Sequence, residues 1–375
     1  SEMCIRDRRI RMTKLEQARK KINEIDEKMA KLFEERMMAT KDVALFKKEN
    51  ALPILDITRE KELLLKNSNY IIDSTIREYY VNFLQSVMEI SKKYQFRLLE
   101  GQKVAYCGAE GAFGYIAAKK MCNNATFMSF KNFDETYHAV ENGICDVAIL
   151  PIENSYAGDV GTVMDLIFSG SLFINQIFDL DVVHNLIGTI DASIDTIKTV
   201  YSHPQALSQC SSYLKKHNFE EIAYGNTALA AKEIAELNDN TIASIASADT
   251  AELYGLKVIE SNINTSRNNT TRFVALSRCQ NLPNSFAKMG EHFILVFTVK
   301  NEAGALANTL NIIGAHGFNM RTLRSRPMKE LLWNYYFYVE LDGNINTEDG
   351  KDMLVQLKTV CDRLKLVGTY HSSKM

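Results

Sequence analysis

The sequence predicts a protein of three segments: an all-α segment, then an α/β segment, then a smaller α+β segment. Apolar residues recur at helical spacing across residues 13–97, which contain almost no glycine and a single proline. From 102 to 279, strand-like apolar runs alternate with helical runs, which is typical of α/β architecture. The last 85 residues follow the order strand, helix, strand, strand, helix, strand, which indicates a ferredoxin-like unit. A length of 375 residues fits two or three domains.

Composition excludes several classes of protein. The formal net charge is −2, so we expect no overall electrostatic preference for nucleic acid or for an anionic membrane. No run of about 18 apolar residues occurs, so no membrane-spanning helix is expected. The seven cysteines are widely spaced and form no CxxC pair, which disfavours a disulfide scaffold or zinc ribbon and favours the reducing cytoplasm. We expect no metal, because the histidines form no metal-binding pair, and we expect no cofactor.

The first eleven residues contain four arginines but no apolar stretch, so they do not form a secretory signal. The helical pattern begins only after Met12. Two interpretations stay open: Met12 is the natural start and residues 1–11 are an artefact, or these residues form a short basic leader.

The first segment is expected to form three helices. Apolar spacing predicts a long helix from 13 to 49, which Pro53 ends. A short helix from 56 to 67 and a third helix from 73 to 96 follow, with Asp73 as the N-cap of the third.

Charged residues on these helices suggest an anion site. Arg36 and Lys47 share a face of the first helix and lie about 16 Å apart along its axis, so their long side chains could grip one small dianion. Arg19 lies about 42 Å from Lys47 and on another face. If Arg19 is functional, it must reach into the site of a second chain in an interlocked dimer.

The other two helices add polar groups. Asp56, Arg59 and Glu60 share one face of the short helix. Ser91 and Gln95 extend the apolar stripe of the third helix, where polar groups need partners or a ligand. A solvated helix face is the alternative interpretation for any one of these residues taken alone.

Residues 15–97 resemble the all-helical chorismate mutase domain at these positions, in order and spacing. The resemblance implies an intertwined dimer that rearranges chorismate to prephenate without an acid, a base or a covalent intermediate. It assigns Lys47 and Gln95 a catalytic role at the substrate's ether oxygen, with Arg19 supplied across the interface. The implied substrate-binding residues are Arg19, Arg36, Lys47, Asp56, Arg59, Glu60, Ser91 and Gln95.

The α/β segment is expected to contain a mostly parallel sheet, with ligand-binding residues beyond the carboxyl ends of its strands. A glycine-rich loop at 108–114 opens a helix, which is either an anion cradle or only a tight turn. Three more clusters lie at strand ends: 151–158, 201–210 and 268–273. His203 and Cys210 could suggest nucleophilic catalysis, although a cysteine in a helix is more often a buried small residue.

Residues 103–278 closely resemble prephenate dehydratase through the ordered motifs PIENS, YSHPQ with QC, and TRF. The resemblance implies a two-lobed fold like type II periplasmic binding proteins, with the substrate between the lobes. It makes Thr271 the essential catalytic residue, as an acid or hydrogen-bond donor to the leaving hydroxyl, and pairs Arg272 with a carboxylate. Gly114 departs from the family's serine or threonine. The implied cleft residues are Glu153, Asn154, Ser202, His203, Gln209, Thr271, Arg272 and Phe273.

Residues 291–371 resemble an ACT regulatory domain, on the glycine turn at 301–306 and the order of their elements. The resemblance implies that phenylalanine binds at a dimer interface and regulates the dehydratase. The second motif departs from the family, because Arg324 replaces a glutamate. A purely structural dimerisation module is the alternative. The implied effector residues are Gly304, Ala305, Leu306, Ser325 and Arg326.

Taken together, the resemblances imply three domains, at 12–98, 102–279 and 291–371, in a bifunctional chorismate mutase/prephenate dehydratase of phenylalanine biosynthesis. The expected partners are chorismate, prephenate, phenylalanine and further copies of the chain, not nucleic acid or membrane. A dehydratase that prefers arogenate and a non-catalytic amino-acid sensor are the alternatives. The absence of a nicotinamide-binding fingerprint disfavours a dehydrogenase.

Overall fold

The structure is a computed structural model that describes residues 13–266, 268–280, 291–328 and 334–371. The chain divides into two compact units, 1–101 and 102–375. The two interpretations of residues 1–11 concern residues that lie outside the described part of the chain.

The first unit consists of three helices, as the sequence predicts: α1 Lys14–Glu49, α2 Ile57–Ser68 and α3 Ser74–Glu100. Each begins at a side chain that accepts a hydrogen bond from an otherwise free N–H group of the first turn. Thr13 and Glu16 form a reciprocal capping box on α1, and Asp56 and Asp73 cap α2 and α3.

Most of α1 has no packing partner within the first unit. Only Thr40 and Ala44 of this helix are buried, and every side chain from Lys14 to Glu35 is exposed. The exposed side chains include apolar residues at helical spacing: Leu15, Ile22, Ile25, Met29, Leu32 and Phe33. A stripe of this length marks an interaction surface.

The second unit contains two α/β lobes. The first lobe comprises β1 Gln102–Cys107, α4 Phe113–Met121, β2 Ala125–Phe130, α5 Phe133–Glu141, β3 Val147–Asn154, β4 Gly158–Asp159, α6 Gly161–Ser169, β5 Phe173–Asp181 and β11 Thr270–Ser277. The second comprises β6 Asn185–Gly188, β7 Thr199–Ser202, α7 Pro204–Gln209, α8 Ser211–His217, β8 Glu220–Ala223, α9 Thr227–Leu237, β9 Ile242–Ala246, α10 Ala248–Leu253 and β10 Lys257–Glu260. The helices α7 and α8 meet at Cys210, which is the C-cap of the first and the N-cap of the second.

The prediction of a mostly parallel sheet is wrong. Each lobe has its own mixed sheet, in which β1 and β7 pair parallel with both neighbours while β11 and β6 pair antiparallel with theirs. The physical reason is that the chain crosses between lobes after β5 and returns after β10. The crossing strands join a sheet without a helical crossover, which is the connection that parallel strands need.

The remaining elements follow the predicted order: β12 Glu291–Thr298, α11 Ala305–Ala315, β13 Asn319–Pro327, β14 Tyr335–Asp342, α12 Glu348–Val360 and β15 Arg363–His371. Their strand order, β13-β14-β12-β15, is ferredoxin-like. One face of this sheet packs under α11 and α12. The other face contributes to the core of the first lobe through Ile294, Val296, Tyr336 and Tyr338.

The two sheets join where β15 runs alongside β5. Gly368 pairs with Ile174, so one ten-stranded sheet extends from the ferredoxin-like region into the first lobe. A Cβ atom at Gly368 would lie 1.9 Å from the carbonyl oxygen of Ile174. The close approach of two backbones therefore requires glycine at this position.

We expect Gly368→Ala to lower the free energy of unfolding of the second unit by about 1–3 kcal/mol, since the methyl group must push β15 away from β5. Urea unfolding of the full chain measures the change. Gly314→Ala is the matched control, because no atom lies within 4 Å of its added Cβ in α11 and alanine favours the helix. Equal stability of the two variants would contradict the close-approach argument.

Candidate functional site

The first unit brings several predicted residues together between α1 and α3. Arg36 donates a hydrogen bond to Ser91 Oγ, and Ser91 Oγ donates to the carbonyl of Val87 at 2.8 Å. Gln95, one turn further along α3, is buried, and its Oε1 has no hydrogen-bond partner among the described residues. A buried amide with an unpaired polar atom is costly, so the Gln95 side chain is suited to hydrogen bonding with a ligand.

Lys47 and Glu60 lie at the ends of neighbouring elements. Lys47 Nζ donates to the carbonyl of Ile54 at 2.7 Å, and Glu60 pairs with Lys92 of α3 at 3.3 Å. Hydrogen bonding to Glu89 is the largest cause that raises the pKa of Lys92. Sequence reasoning missed Lys92, although it directly follows Ser91 on the same helix.

The three other predicted residues of this unit, Arg19, Asp56 and Arg59, are exposed. The Asp56 side chain caps α2 by accepting from the backbone N–H of Arg59 at 3.0 Å. The Arg19 side chain is exposed on the part of α1 that has no packing partner in its own unit.

The second unit contains a cavity of about 560 Å³ between its two lobes. Five of the eight predicted cleft residues line it: Asn154, His203, Gln209, Thr271 and Phe273. They come from β3, β11 and α7, at the strand ends where ligands bind in α/β folds.

A chain of hydrogen bonds connects the lobes at this cavity. Asn154 Oδ1 accepts from the backbone N–H groups of Tyr156 and Ala157 at 3.0 and 2.8 Å, which fixes its Nδ2 as the donor side. Asn154 Nδ2 then donates to Asn269 Oδ1 at 2.9 Å and to Thr271 Oγ1 at 2.8 Å. The two backbone N–H groups therefore determine which atom donates in each later hydrogen bond of this chain.

The chain of hydrogen bonds continues to His184, which lies on the segment that crosses between the lobes. Asn269 Nδ2 donates to Gln209 Oε1 at 3.0 Å, so this oxygen accepts, and His184 Nε2 must donate to it across 2.8 Å. His184 is buried, and its Nδ1 has no partner among the described residues. Burial lowers the pKa of His184, so the neutral ring is favoured. Sequence reasoning missed this residue because it belongs to no motif.

This arrangement determines how the Thr271 hydroxyl can form hydrogen bonds. Its oxygen accepts from Asn154, and no described residue accepts its proton. The hydroxyl is thus free to donate to a molecule in the cavity, which Thr271 lines.

No lysine or arginine lies among the described residues that line this cavity. Positive potential comes instead from two helix N-termini, α4 at Ala112 and α9 at Asn226. Ala112 makes no side-chain cap, so the first N–H groups of α4 are free for an anion. The glycine-rich loop therefore has the geometry of a cradle. A Cβ at Gly114 would lie 2.9 Å from the carbonyl oxygen of Cys107, so glycine suits this backbone.

Three predicted cleft residues do not line the cavity. Asn154 and Glu153 are neighbours on β3, as Thr271 and Arg272 are on β11, and successive side chains of a strand point to opposite faces. Arg272 therefore pairs with Asp179 at 2.8 Å and with Glu340 of β14 at 3.6 Å, and Glu153 likewise lies on the far face. The third residue is Ser202, which is buried and donates to the carbonyl of Ile245 at 2.8 Å.

The pairing of His203 with Cys210 as a nucleophilic couple is not supported. His203 Nδ1 accepts from the backbone N–H of Gln205 at 3.2 Å as the cap of α7. Cys210 is fully buried, and burial raises the pKa of its thiol to about 12, so the thiol stays protonated.

The predicted effector residues lie on both faces of the ferredoxin-like sheet. Gly304 caps α11 with φ of 84°, and Ala305 and Leu306 begin that helix. Ser325 is exposed on β13. Arg326 points the other way, toward Asp165 of α6 at 3.3 Å and Tyr336 at 3.1 Å. The five residues therefore do not form one site within one chain.

Among the described residues, no group of three or more histidine, cysteine, aspartate or glutamate side chains could hold a metal ion, and no helix is long and apolar enough to cross a membrane.

Comparisons with known proteins cover both units. The family model for prephenate dehydratase matches residues 104–281, and that for chorismate mutase type II matches residues 18–96. A bifunctional chorismate mutase/prephenate dehydratase of Buchnera aphidicola is 32% identical over 95% of this chain and 96% of its own length.

Two solved structures resemble the larger part of the chain. Prephenate dehydratase of Arthrobacter aurescens in complex with L-Phe has a TM-score of 0.65 and 25% identity, over 72% of this chain and 90% of that one. A protein described as GqqA, a quorum-quenching acylase, has a TM-score of 0.67 and 27% identity, over 73% and 99%.

We expect the free energy of unfolding of the second unit to depend on pH, because the pKa of His184 is lowered in the folded state. Below a pH of about 6.5 the unfolded chain binds a proton that the buried ring resists, so stability falls as the pH falls. His184→Gln keeps a donor for Gln209 but cannot titrate. The stability difference between wild type and His184→Gln should therefore narrow by up to about 1 kcal/mol from pH 6.5 to 5.5.

Urea unfolding at pH 7.5, 6.5 and 5.5 measures this difference. The partly exposed His217 of α8 supplies the control His217→Gln. A difference for His184→Gln that stays constant over this range would show that the ring is not held neutral.

Proposed function

The chain belongs to the family of bifunctional chorismate mutase/prephenate dehydratases, and on this premise we propose which of its residues perform each reaction. The protein rearranges chorismate to prephenate and then converts prephenate to phenylpyruvate, with regulation by phenylalanine. We assign the first reaction to residues 12–98, the second to 102–279 and the effector to an ACT domain at 291–371. The six described cysteines are free thiols, which fits a cytoplasmic enzyme.

The mutase proposal rests on Arg36 and Ser91, which meet between α1 and α3, and on the buried Gln95 one turn further along α3. The rearrangement is unimolecular, so the enzyme must hold a compact conformer and stabilise charge on the ether oxygen. Lys47 supplies a cation for that oxygen. Gln95 donates to it through its amide nitrogen, and Arg36 binds a carboxylate.

The proposed mutase is a dimer of intertwined chains. The support is the exposed apolar stripe of α1, which a second copy of the same helix would cover. Arg19 lies on the same uncovered part of α1. In a dimer it would enter the partner's site and bind the second carboxylate of chorismate.

We expect complementation between two inactive variants. Arg19→Ala and Lys47→Ala chains each lack one part of every site, whereas a mixed dimer contains one intact site. Random mixing makes half of the dimers mixed, so mutase activity should return to about a quarter of wild type. Co-expression with two affinity tags and assay of chorismate consumption measures it. Activity no higher than that of the separate variants would rule out a shared site.

The dehydratase proposal rests on the directed hydroxyl of Thr271. Prephenate loses its ring carboxylate as carbon dioxide and its hydroxyl as water, and the electrons of the broken carbon–carbon bond complete the aromatic ring. The departing oxygen gains negative charge and needs a donor. Thr271 donates to it, while Asn154 holds the Thr271 oxygen in place.

The carboxylates of prephenate bind without basic side chains in this proposal. The free N–H groups at the start of α4 donate hydrogen bonds to one carboxylate, and the start of α9 faces the other. His203, Gln209 and Phe273 line the remaining wall of the cavity.

For the sensor we propose that phenylalanine binds near Gly304, Ala305, Leu306 and Ser325, where a second copy meets the exposed edge of β13. The positive φ of Gly304 leaves its backbone accessible to a small ligand. Arg326 supports this region from the other face through Asp165.

Thr271→Val and Thr271→Ala should lower the kcat of dehydration by about 10²–10³-fold, since each removes the donor for the leaving oxygen. Thr271→Ser should keep most of the activity. Phenylpyruvate formation from prephenate measures the effect, with mutase activity as the internal control. Thr270→Val is the matched neighbour, because the Thr270 hydroxyl bonds Asp181 at 2.8 Å instead of entering the cavity. Wild-type activity in Thr271→Ala would overturn the assignment.

A further inference from the structure

An arginine of the ferredoxin-like region reaches the strands that carry the cleft. Arg324 lies on β13, and its side chain is only 15% exposed. Its guanidinium lies 2.5 Å from a carboxylate oxygen of Glu153 and 3.1 Å from one of Asp159. Glu153 on β3 and Asp159 on β4 are cross-strand partners, so one guanidinium contacts both strands of the same hairpin.

The hairpin 153–159 holds the donor that directs Thr271. Its turn is folded around Asn154, whose side chain accepts from two N–H groups of the turn and donates to Thr271. β4 is only two residues long, and Tyr156 at the tip is 62% exposed. Little apolar burial therefore fixes this turn, and polar contacts to the paired strands must do so.

The charges around the hairpin make Arg324 hard to replace. Without it, the carboxylates of Glu153 and Asp159 would lie side by side and partly buried, which is unfavourable for both. Arg272 is on the same face as Glu153, but its described partners are Asp179 and Glu340. The Tyr338 ring lies 5.9 Å from the Arg324 guanidinium and helps to hold it in place.

We propose that Arg324 is a positioning residue for the dehydratase reaction, which holds the hairpin 153–159 so that Asn154 can orient Thr271. The inference rests on the proposed function of Thr271. Arg324 does not line the cavity, so it acts through the hairpin and touches no substrate. The ferredoxin-like region thus completes the dehydratase site of its own chain, and the arginine that departs from the ACT motif matches two carboxylates of this chain.

The test compares full-length variants in prephenate turnover. Arg324→Gln should lower kcat at least about tenfold with KM changed less than threefold, because a misplaced donor affects the transition state more than binding. The kcat of Arg324→Lys should lie between those of wild type and Arg324→Gln, since one ammonium group cannot contact both carboxylates as the guanidinium does. Mutase activity on chorismate should stay at the wild-type level.

Arg363→Gln is the matched control. Arg363 also joins the ferredoxin-like region to the first lobe, but it stacks on Phe168 and donates to the Phe168 carbonyl at 3.0 Å, away from the hairpin. Its kcat should stay within twofold of wild type. An equal loss in Arg363→Gln would reduce Arg324 to a general docking contact and overturn the inference.

A double-mutant cycle with Glu153→Gln isolates the proposed contact. The double variant should be little worse than Arg324→Gln alone, because both changes break one interaction. If the fold losses in kcat of the two single variants multiplied in the double variant, the inference would be overturned. A kcat of Arg324→Gln within twofold of wild type would also overturn it. Failure here is distinct from failure of the proposed function. An inactive Thr271→Ala beside a normal Arg324→Gln rejects only the positioning role.

Discussion

The pairing of β3 with β11 is the constraint on which the larger unit depends. Asn154 and Thr271 face the cavity as register partners, and Glu153 and Arg272 are register partners on the opposite face. Because neighbouring residues of a strand point in opposite directions, the same two strands line the cavity on one face and carry ion pairs to the ferredoxin-like region on the other. A register shift of one residue would exchange the two sets of side chains and remove both arrangements.

The two units obtain their rigidity in different ways. The larger unit has a continuous sheet and buried clusters that join both of its regions. The helical unit has few buried side chains, and no residue of α2 is buried. Its polar contacts between α1 and α3 are therefore supported by little core of their own, and a second copy would supply the missing apolar burial.

The sequence predicts local structure well here because local structure depends on nearby residues. The apolar spacing, the break at Pro53 and the N-cap at Asp73 are sufficient to locate three helices. The mixed sheets were missed because strand direction depends on the two lobe crossings. The motifs locate the strands but not the face on which each side chain lies, so Asn154 lines the cavity and Glu153 does not.

Contacts between distant residues account for what the motifs omit. His184 and Gln209 are 25 positions apart, and Arg324 and Glu153 are far apart in the chain. The sequence around His184 or Arg324 contains no pattern that identifies the residue with which each one interacts. Each becomes interpretable only when the fold shows which polar atoms it meets, and both lie at junctions: one between lobes, the other between the ferredoxin-like region and the first lobe.

The uncapped start of α4 has a consequence for how this protein evolves. A binding group made of backbone N–H atoms is encoded by the path of the chain and not by one codon, so most point mutations in the loop leave its hydrogen-bond donors intact. A site built on a lysine or arginine is lost with one base change. The side chains of the loop can thus change during evolution, while the backbone N–H groups that could bind an anion are kept as long as the fold is kept.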